Sequence, residues 1–187
     1  MRTLRPWTVT IAILWAAVAA AAQSTAPPAA PPAPAAPPPA PCSAPEHRQF
    51  DFWIGEWEVR DPKGELAGTN RIEKILNGCA LQENWTGARG DKGTSFNIYD
   101  APAKRWHQTW VSDNGLLLVL DGAFQDGKMV LSGERVPRQG GGLAKHRITW
   151  TPVDADHVRQ HWEMSRDGGK TWGTVFDGTY TRKKPAA

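Results

Sequence analysis

From Phe50 onward, apolar and polar residues alternate with a period of two in short runs broken by Gly, Asp, Asn and Pro. The block Phe50-Asp51-Phe52-Trp53-Ile54-Gly55-Glu56-Trp57-Glu58-Val59 sets the pattern. It predicts a first strand over 51–60 with Trp53 and Trp57 on one face. Further strands are predicted at 67–76, 79–87, 93–99, 104–112, 115–125, 128–136, 145–152, 157–165 and 171–182. No segment carries a convincing helical period. Asp113-Asn114-Gly115, Asp126-Gly127 and Asp167-Gly168-Gly169 are turn sequences suited to positive φ, and Pro137 to Gly142 forms a longer connection. Ten strands joined by hairpin-length turns predict an all-β, antiparallel up-and-down meander. Closing it into a barrel removes its edges.

Alternation also sorts side chains onto faces. Leu81, Glu83 and Trp85 fall together, as do Ser95, Asn97 and Tyr99; Trp106, Gln108 and Trp110; and Gln160 with Trp162. His107, Phe96 and Ile98, and Arg159, His161 and Glu163 take the opposite faces. Large aromatics mixed with isolated Gln, Glu and Asn suit a barrel interior that holds a ligand, with apolar walls and a few orienting polar groups. Parity leaves open which face turns inward.

Composition changes the picture mainly at the ends. Residues 1–22 have the layout of a secretory signal: Arg2 and Arg5, an apolar run from Trp7 to Ala22, and Ala20-Ala21-Ala22 at the cleavage position. An uncleaved anchor is the alternative, although the run is short for a span of about 20 residues. Cys42 lies far beyond the run, so no lipidation box adjoins it. Residues 23–41 are a Pro/Ala-rich linker, read as an extended spacer about 50 Å long; the alternative is a site for a proline-binding module. Residues 42–187 remain as one domain of 146 residues, enough for a single core. Setting Arg2 and Arg5 aside takes the formal charge from +3 to +1. With no Lys/Arg-rich run to follow a phosphate backbone, nucleic acid is not an expected partner. Export, to the periplasm or the medium, is the expected localisation, without stable membrane insertion after cleavage.

Two cysteines, Cys42 and Cys79, read in an exported chain as a disulfide rather than a metal site or two free thiols. Such a bridge closes a loop of about 38 residues and stabilises by about 4 kcal/mol on the chain-entropy model.

Gly55-Glu56-Trp57 resembles the Gly-x-Trp signature of lipocalins and fatty-acid-binding proteins, the calycin barrels. The resemblance implies that Trp57, with Gly55, closes one end of a barrel and packs against a basic residue of the last strand, here matched to Arg182. The folded region also resembles a family of small exported bacterial proteins of uncharacterised function. That likeness rests on Phe-Asp-Phe-Trp-Ile-Gly-Glu-Trp, on Gly78-Cys79 followed by Glu83 and Trp85, and on Ser165 to Trp172 with Tyr180 and Arg182. It implies a lipocalin-like barrel and no established activity. Ser165-Arg166-Asp167-Gly168-Gly169-Lys170-Thr171-Trp172 resembles the Asp-box of sialidases. A single copy cannot build a propeller, so it reads as a stable hairpin.

Candidate chemistry is sparse. His157 and His161 lie about 13 Å apart along a strand, too far to share one metal, and His161 with Glu163 reads as a solvated face. His107 matches the way some lipocalin-like barrels hold haem, but it falls opposite Trp106 and Trp110, and no cofactor is the expectation. Glu83 is the best acid–base candidate, because an interior carboxyl beside Trp85 is desolvated and its pKa raised; pairing with Arg147 or Arg159 is the alternative. No nucleophile elbow, zinc-protease motif or phosphate loop is present. The expected function is binding of a small apolar or aromatic molecule without catalysis, at Glu83, Trp85, Asn97, Tyr99, Trp106, Gln108, Trp110, Gln160 and Trp162. An isomerase-, cyclase- or hydrolase-type enzyme using Glu83 is one alternative, and a filled, ligand-free envelope module is the other.

Overall fold

The computed structural model describes residues 39–137 and 142–184. The expected signal segment, most of the linker and the centre of the Pro137–Gly142 connection lie outside them. Ten strands follow: β1 Gly55–Arg60, β2 Leu66–Ile75, β3 Ala80–Gly87, β4 Lys92–Asp100, β5 Arg105–Ser112, β6 Leu117–Gln125, β7 Lys128–Arg135, β8 Ala144–Pro152, β9 His157–Ser165 and β10 Gly173–Arg182. Each pairs antiparallel with its sequence neighbours, and β10 returns to β1 through Trp57↔Arg182 and Val59↔Tyr180, so the barrel is closed. Nine strands lie within two residues of their predicted limits.

The first does not. Asp51–Trp53 is a turn of 3-10 helix, held by Trp53 N–H to the Phe50 carbonyl (3.1 Å) and Ile54 N–H to the Asp51 carbonyl (3.1 Å). Gly55, with φ at +141°, kinks the chain here, and on the β10 side the last partner is already Trp57↔Arg182. The residues before Gly55 therefore leave the sheet and cross the barrel end. Trp53 and Trp57 do not share a strand face; instead the Trp57 indole N–H donates to the Trp53 carbonyl at 2.9 Å.

Strand direction places the β2–β3, β4–β5, β6–β7 and β8–β9 turns at this closed end and the other turns at the opposite end. Phe50 and Trp53 are fully buried and stacked at 4.9 Å, and Phe50 meets Trp106 (5.6 Å) and Trp150 (5.2 Å) edge-on. Cys42 and Cys79 are joined as a disulfide, pinning the incoming segment to the β2–β3 turn. Arg48 reinforces the pin by donating to the Cys42 carbonyl at 2.7 Å and the Gly78 carbonyl at 3.3 Å.

At the opposite end, 166–172 forms the β9–β10 turn, so β10 begins two residues later than predicted. Asp167 accepts from Ser165 Oγ (2.7 Å), Thr171 Oγ1 (2.6 Å) and the Lys170 and Thr171 N–H groups (both 2.9 Å). These bonds, those from Thr171 foremost, hold its carboxyl well below the usual carboxylate range. The Asp-box is thus a hairpin turn, with Trp172 packed under the Arg147 guanidinium at 4.3 Å.

Candidate functional site

Between the aromatic plug and the open end lies a cavity of about 910 Å³. Its mouth is bordered by the β1–β2, β3–β4 and β5–β6 turns, where Asp61, Arg89, Asp91 and Asp113 stand. Trp85, Trp110, Trp162, Phe176, Leu118 and Ile148 form the walls, and Glu83, Gln108, Gln160 and Tyr180 lie deepest. Strand alternation brings these side chains inward, and register sets their neighbours: Glu83↔Ser95, Ser95↔Trp110, Asn97↔Gln108 and Gln160↔Gly178.

Three wall rings lie over strand glycines. A Cβ on Gly93 would stand 2.1 Å from the Trp110 ring, on Gly68 2.7 Å from the Trp85 ring, and on Gly178 2.6 Å from the Phe176 ring. The missing side chains let the rings approach the backbone closely and keep the lumen open. Trp162 is set differently: its indole N–H donates to His146 Nδ1 at 3.0 Å. Burial, then Arg135 and Arg166, push the His146 pKa down, which favours the neutral acceptor.

The floor is one polar network. Asn70 Nδ2 donates to Glu83 Oε1 (2.7 Å) and Tyr180 Oη (3.3 Å), and Ser95 Oγ donates to Glu83 Oε2 (2.6 Å). Asn97 Nδ2 donates to Ser95 Oγ (2.9 Å), Gln108 Nε2 to Asn97 Oδ1 (2.8 Å), and the Tyr180 hydroxyl to Gln160 Oε1. Burial pushes the Glu83 carboxyl up to about 7, against the bonds from Ser95 and Asn70 that favour its ionised form. Tyr180 is raised well above the ordinary phenol value by burial and, secondarily, by the Glu83 charge.

Six of the nine expected ligand residues line this cavity: Glu83, Trp85, Gln108, Trp110, Gln160 and Trp162. Asn97 is fully buried one layer beneath. Trp106 and Tyr99 belong to the closed end, Trp106 donating to Gln49 Oε1 at 3.1 Å and Tyr99 lying edge-on to His47 at 5.3 Å. Asn70, Phe176 and Tyr180 are not among the expected ligand residues. Inward parity flags them, Asn70 between Gly68 and Ile72, Phe176 and Tyr180 either side of Gly178. Neither candidate partner reaches Glu83. Arg147 pairs with Glu163 (2.9 Å) and Arg159 with Asp177 (2.7 Å), both on the outer face dictated by their parity. His107 is also outward, bonded to Asp121 (2.9 Å) and Thr109 (2.8 Å), and His161 bonds Thr174 at 3.0 Å.

Fold and site together define a small closed β-barrel with an aromatic-walled, polar-floored cavity open at one end. Residues 43–182 match the family described as "Protein of unknown function (DUF1579)", and the chain belongs to that family. No curated protein matches the sequence.

Proposed function

We propose that the barrel takes up a small apolar or aromatic molecule in its open cavity and holds it without transforming it. The observation that carries this reading is the cavity itself, about 910 Å³ in volume, with aromatic walls and its polar groups gathered at the floor. That combination of size, apolar wall and few orienting groups suits ligand pockets, whereas a dry structural core would close up with aliphatic side chains. Export is part of the proposal; the Cys42–Cys79 disulfide is compatible with it, as is the lack, among the described residues, of a helix long and apolar enough to cross a membrane.

Eight tryptophans in the domain, three of them in the cavity wall, make intrinsic fluorescence a direct reporter. Native mass spectrometry of the purified protein, followed by titration with an apolar and aromatic panel, is expected to show retained mass or saturable emission changes with a raised melting temperature. No retained mass, no emission change and no thermal shift would overturn the proposal and leave the ligand-free module as the surviving alternative.

A second reading has its own support. A buried carboxyl whose pKa burial pushes up to about 7, linked through Asn70 to Tyr180, has the properties of a general acid–base. On this reading Glu83→Gln abolishes turnover of a bound compound while preserving its binding.

A further inference from the structure

The hydrogen-bond inventory of the floor is one-sided. Both hydrogens of Asn70 Nδ2 are taken, by Glu83 and Tyr180; those of Asn97 Nδ2 go to Ser95 Oγ and, at 3.5 Å, the Leu81 carbonyl. Gln108 Nε2 gives its two to Asn97 and, at 3.5 Å, Ser95 Oγ. The Ser95 and Tyr180 hydroxyls are committed to Glu83 and Gln160. Apart from Gln160 Nε2, what this floor still offers a ligand is acceptor capacity: the remaining lone pairs of Glu83 and the Gln108 carbonyl oxygen. Glu83 is only 4% exposed, lines the cavity and has no cation within ion-pair distance among the described residues.

Walls and mouth agree. Trp85, Trp110, Trp162 and Phe176 present π faces and edges, and indole is the side chain that best attracts a cation. Around the mouth stand Asp61, Glu65, Asp91 and Asp113 against Arg89 and Lys92, so its field draws positive charge inward. A carboxylate-headed ligand would meet Glu83 with almost no donor to answer it. A neutral apolar one would give the Glu83 carboxyl no partner beyond Asn70 and Ser95.

Resting on the cavity reading above, we propose that the ligand is an amphiphilic cation. It would carry a protonated amine that donates to Glu83 and Gln108 at the floor, on an apolar or aromatic body packed against Trp85, Trp110, Trp162 and Phe176.

Calorimetric titration of the purified protein with naphthylmethylamine, naphthylmethanol and naphthoate, at pH about 8, separates the possibilities. The amine is expected to bind at least about tenfold more tightly than the alcohol, with the acid weakest. Glu83→Gln should remove the preference. Should that variant fail to fold, wild-type protein still decides through proton release. The groups bonded to Glu83 come from β2, β4 and β10 as Asn70, Ser95 and, through Asn70, Tyr180, and of these only Tyr180 titrates, with its proton held firmly. With the carboxyl at about 7, amine binding at pH about 7 should expel about half a proton per ligand, read in buffers of different ionisation enthalpy, and the alcohol none. Alcohol or acid binding as tightly as the amine, or no proton release with it, overturns the cationic class while the cavity reading stands. Failure of all three probes to bind overturns the cavity reading, and this inference with it.

Discussion

The guanidinium carbon of Arg182 lies 4.2 Å above the centre of the Trp57 indole, and its Nη1 donates to the Ile54 carbonyl at 2.8 Å. One side chain thus ties the last residue of β10 to the kink that starts β1, where the barrel closes. Gly55 leaves the room, because a Cβ there would stand 2.3 Å from that same Nη1. It also takes a φ of +141° that other residues rarely adopt.

Removing either partner should therefore loosen the seam. Arg182→Ala is expected to lower unfolding free energy by about 1–3 kcal/mol, through the lost cation–π contact and the unanswered Ile54 carbonyl. Gly55→Ala should do at least as much by displacing the guanidinium. The two changes should add to less than their separate effects, since both break one arrangement. Urea denaturation of the four proteins checks this, and full additivity would refute the shared seam.

The disulfide is expected to act on the same end. Reduction, or Cys42→Ser with Cys79→Ser, should lower stability by up to about 4 kcal/mol through the freed loop of the unfolded chain. Native emission should stay unshifted, because Arg48 still holds the Cys42 and Gly78 carbonyls and Trp53 stays buried. A red-shifted native spectrum on reduction would show instead that the plug depends on the bridge.

Glu83 predicts an inverted pH dependence. Its carboxyl is raised from 4.5 to about 7 on folding, so between those values the folded protein binds a proton that the unfolded chain has released. Stability from this group is full below pH about 4.5, falls as pH rises and levels off above about 7, a change of about 3 kcal/mol. His146, pushed down on folding, works in the opposite sense below its ordinary value of 6.5. Comparing wild type with Glu83→Gln across this range isolates the carboxyl: the stability difference should fall with pH, and a flat difference would place Glu83 in a wetter setting.

How much of this is written in the sequence varies with the kind of information needed. β9 lies over His157–Ser165 as predicted, because alternation and flanking turn residues are local signals. Parity gathers Glu83, Gln108 and Gln160 correctly, yet it assigns a face and not a depth. Trp106 and Tyr99 share faces with cavity residues but sit at the closed end, where a segment anchored through Cys79 fills the barrel. The 3-10 turn at Asp51–Trp53, in place of the expected strand, has a similar origin: a period of two does not reveal whether β10 reaches far enough to serve as partner. The floor needs six strands at once, and Asn70 and Tyr180, at positions 110 residues apart, meet only once β10 closes on β1.

Gly93 gives the sharpest separation between folding and binding. It lies within β4, opposite Trp85 and Ser112, and the Trp110 ring occupies the space where its side chain would be. Gly93→Ala must push that indole into the lumen, while the added methyl reduces the freedom of the unfolded chain and offsets part of the local strain. We expect affinity for an aromatic probe to drop at least about tenfold, equivalent to about 1.4 kcal/mol, with an unfolding free energy within about 1 kcal/mol of wild type. Trp110→Ala is the counterpart: it empties the wall rather than filling the lumen, and should weaken binding by loss of contact while tolerating bulkier probes. Paired titration and denaturation of the two variants tests the wall directly. Wild-type affinity in Gly93→Ala would mean that the Trp110 face does not touch the ligand.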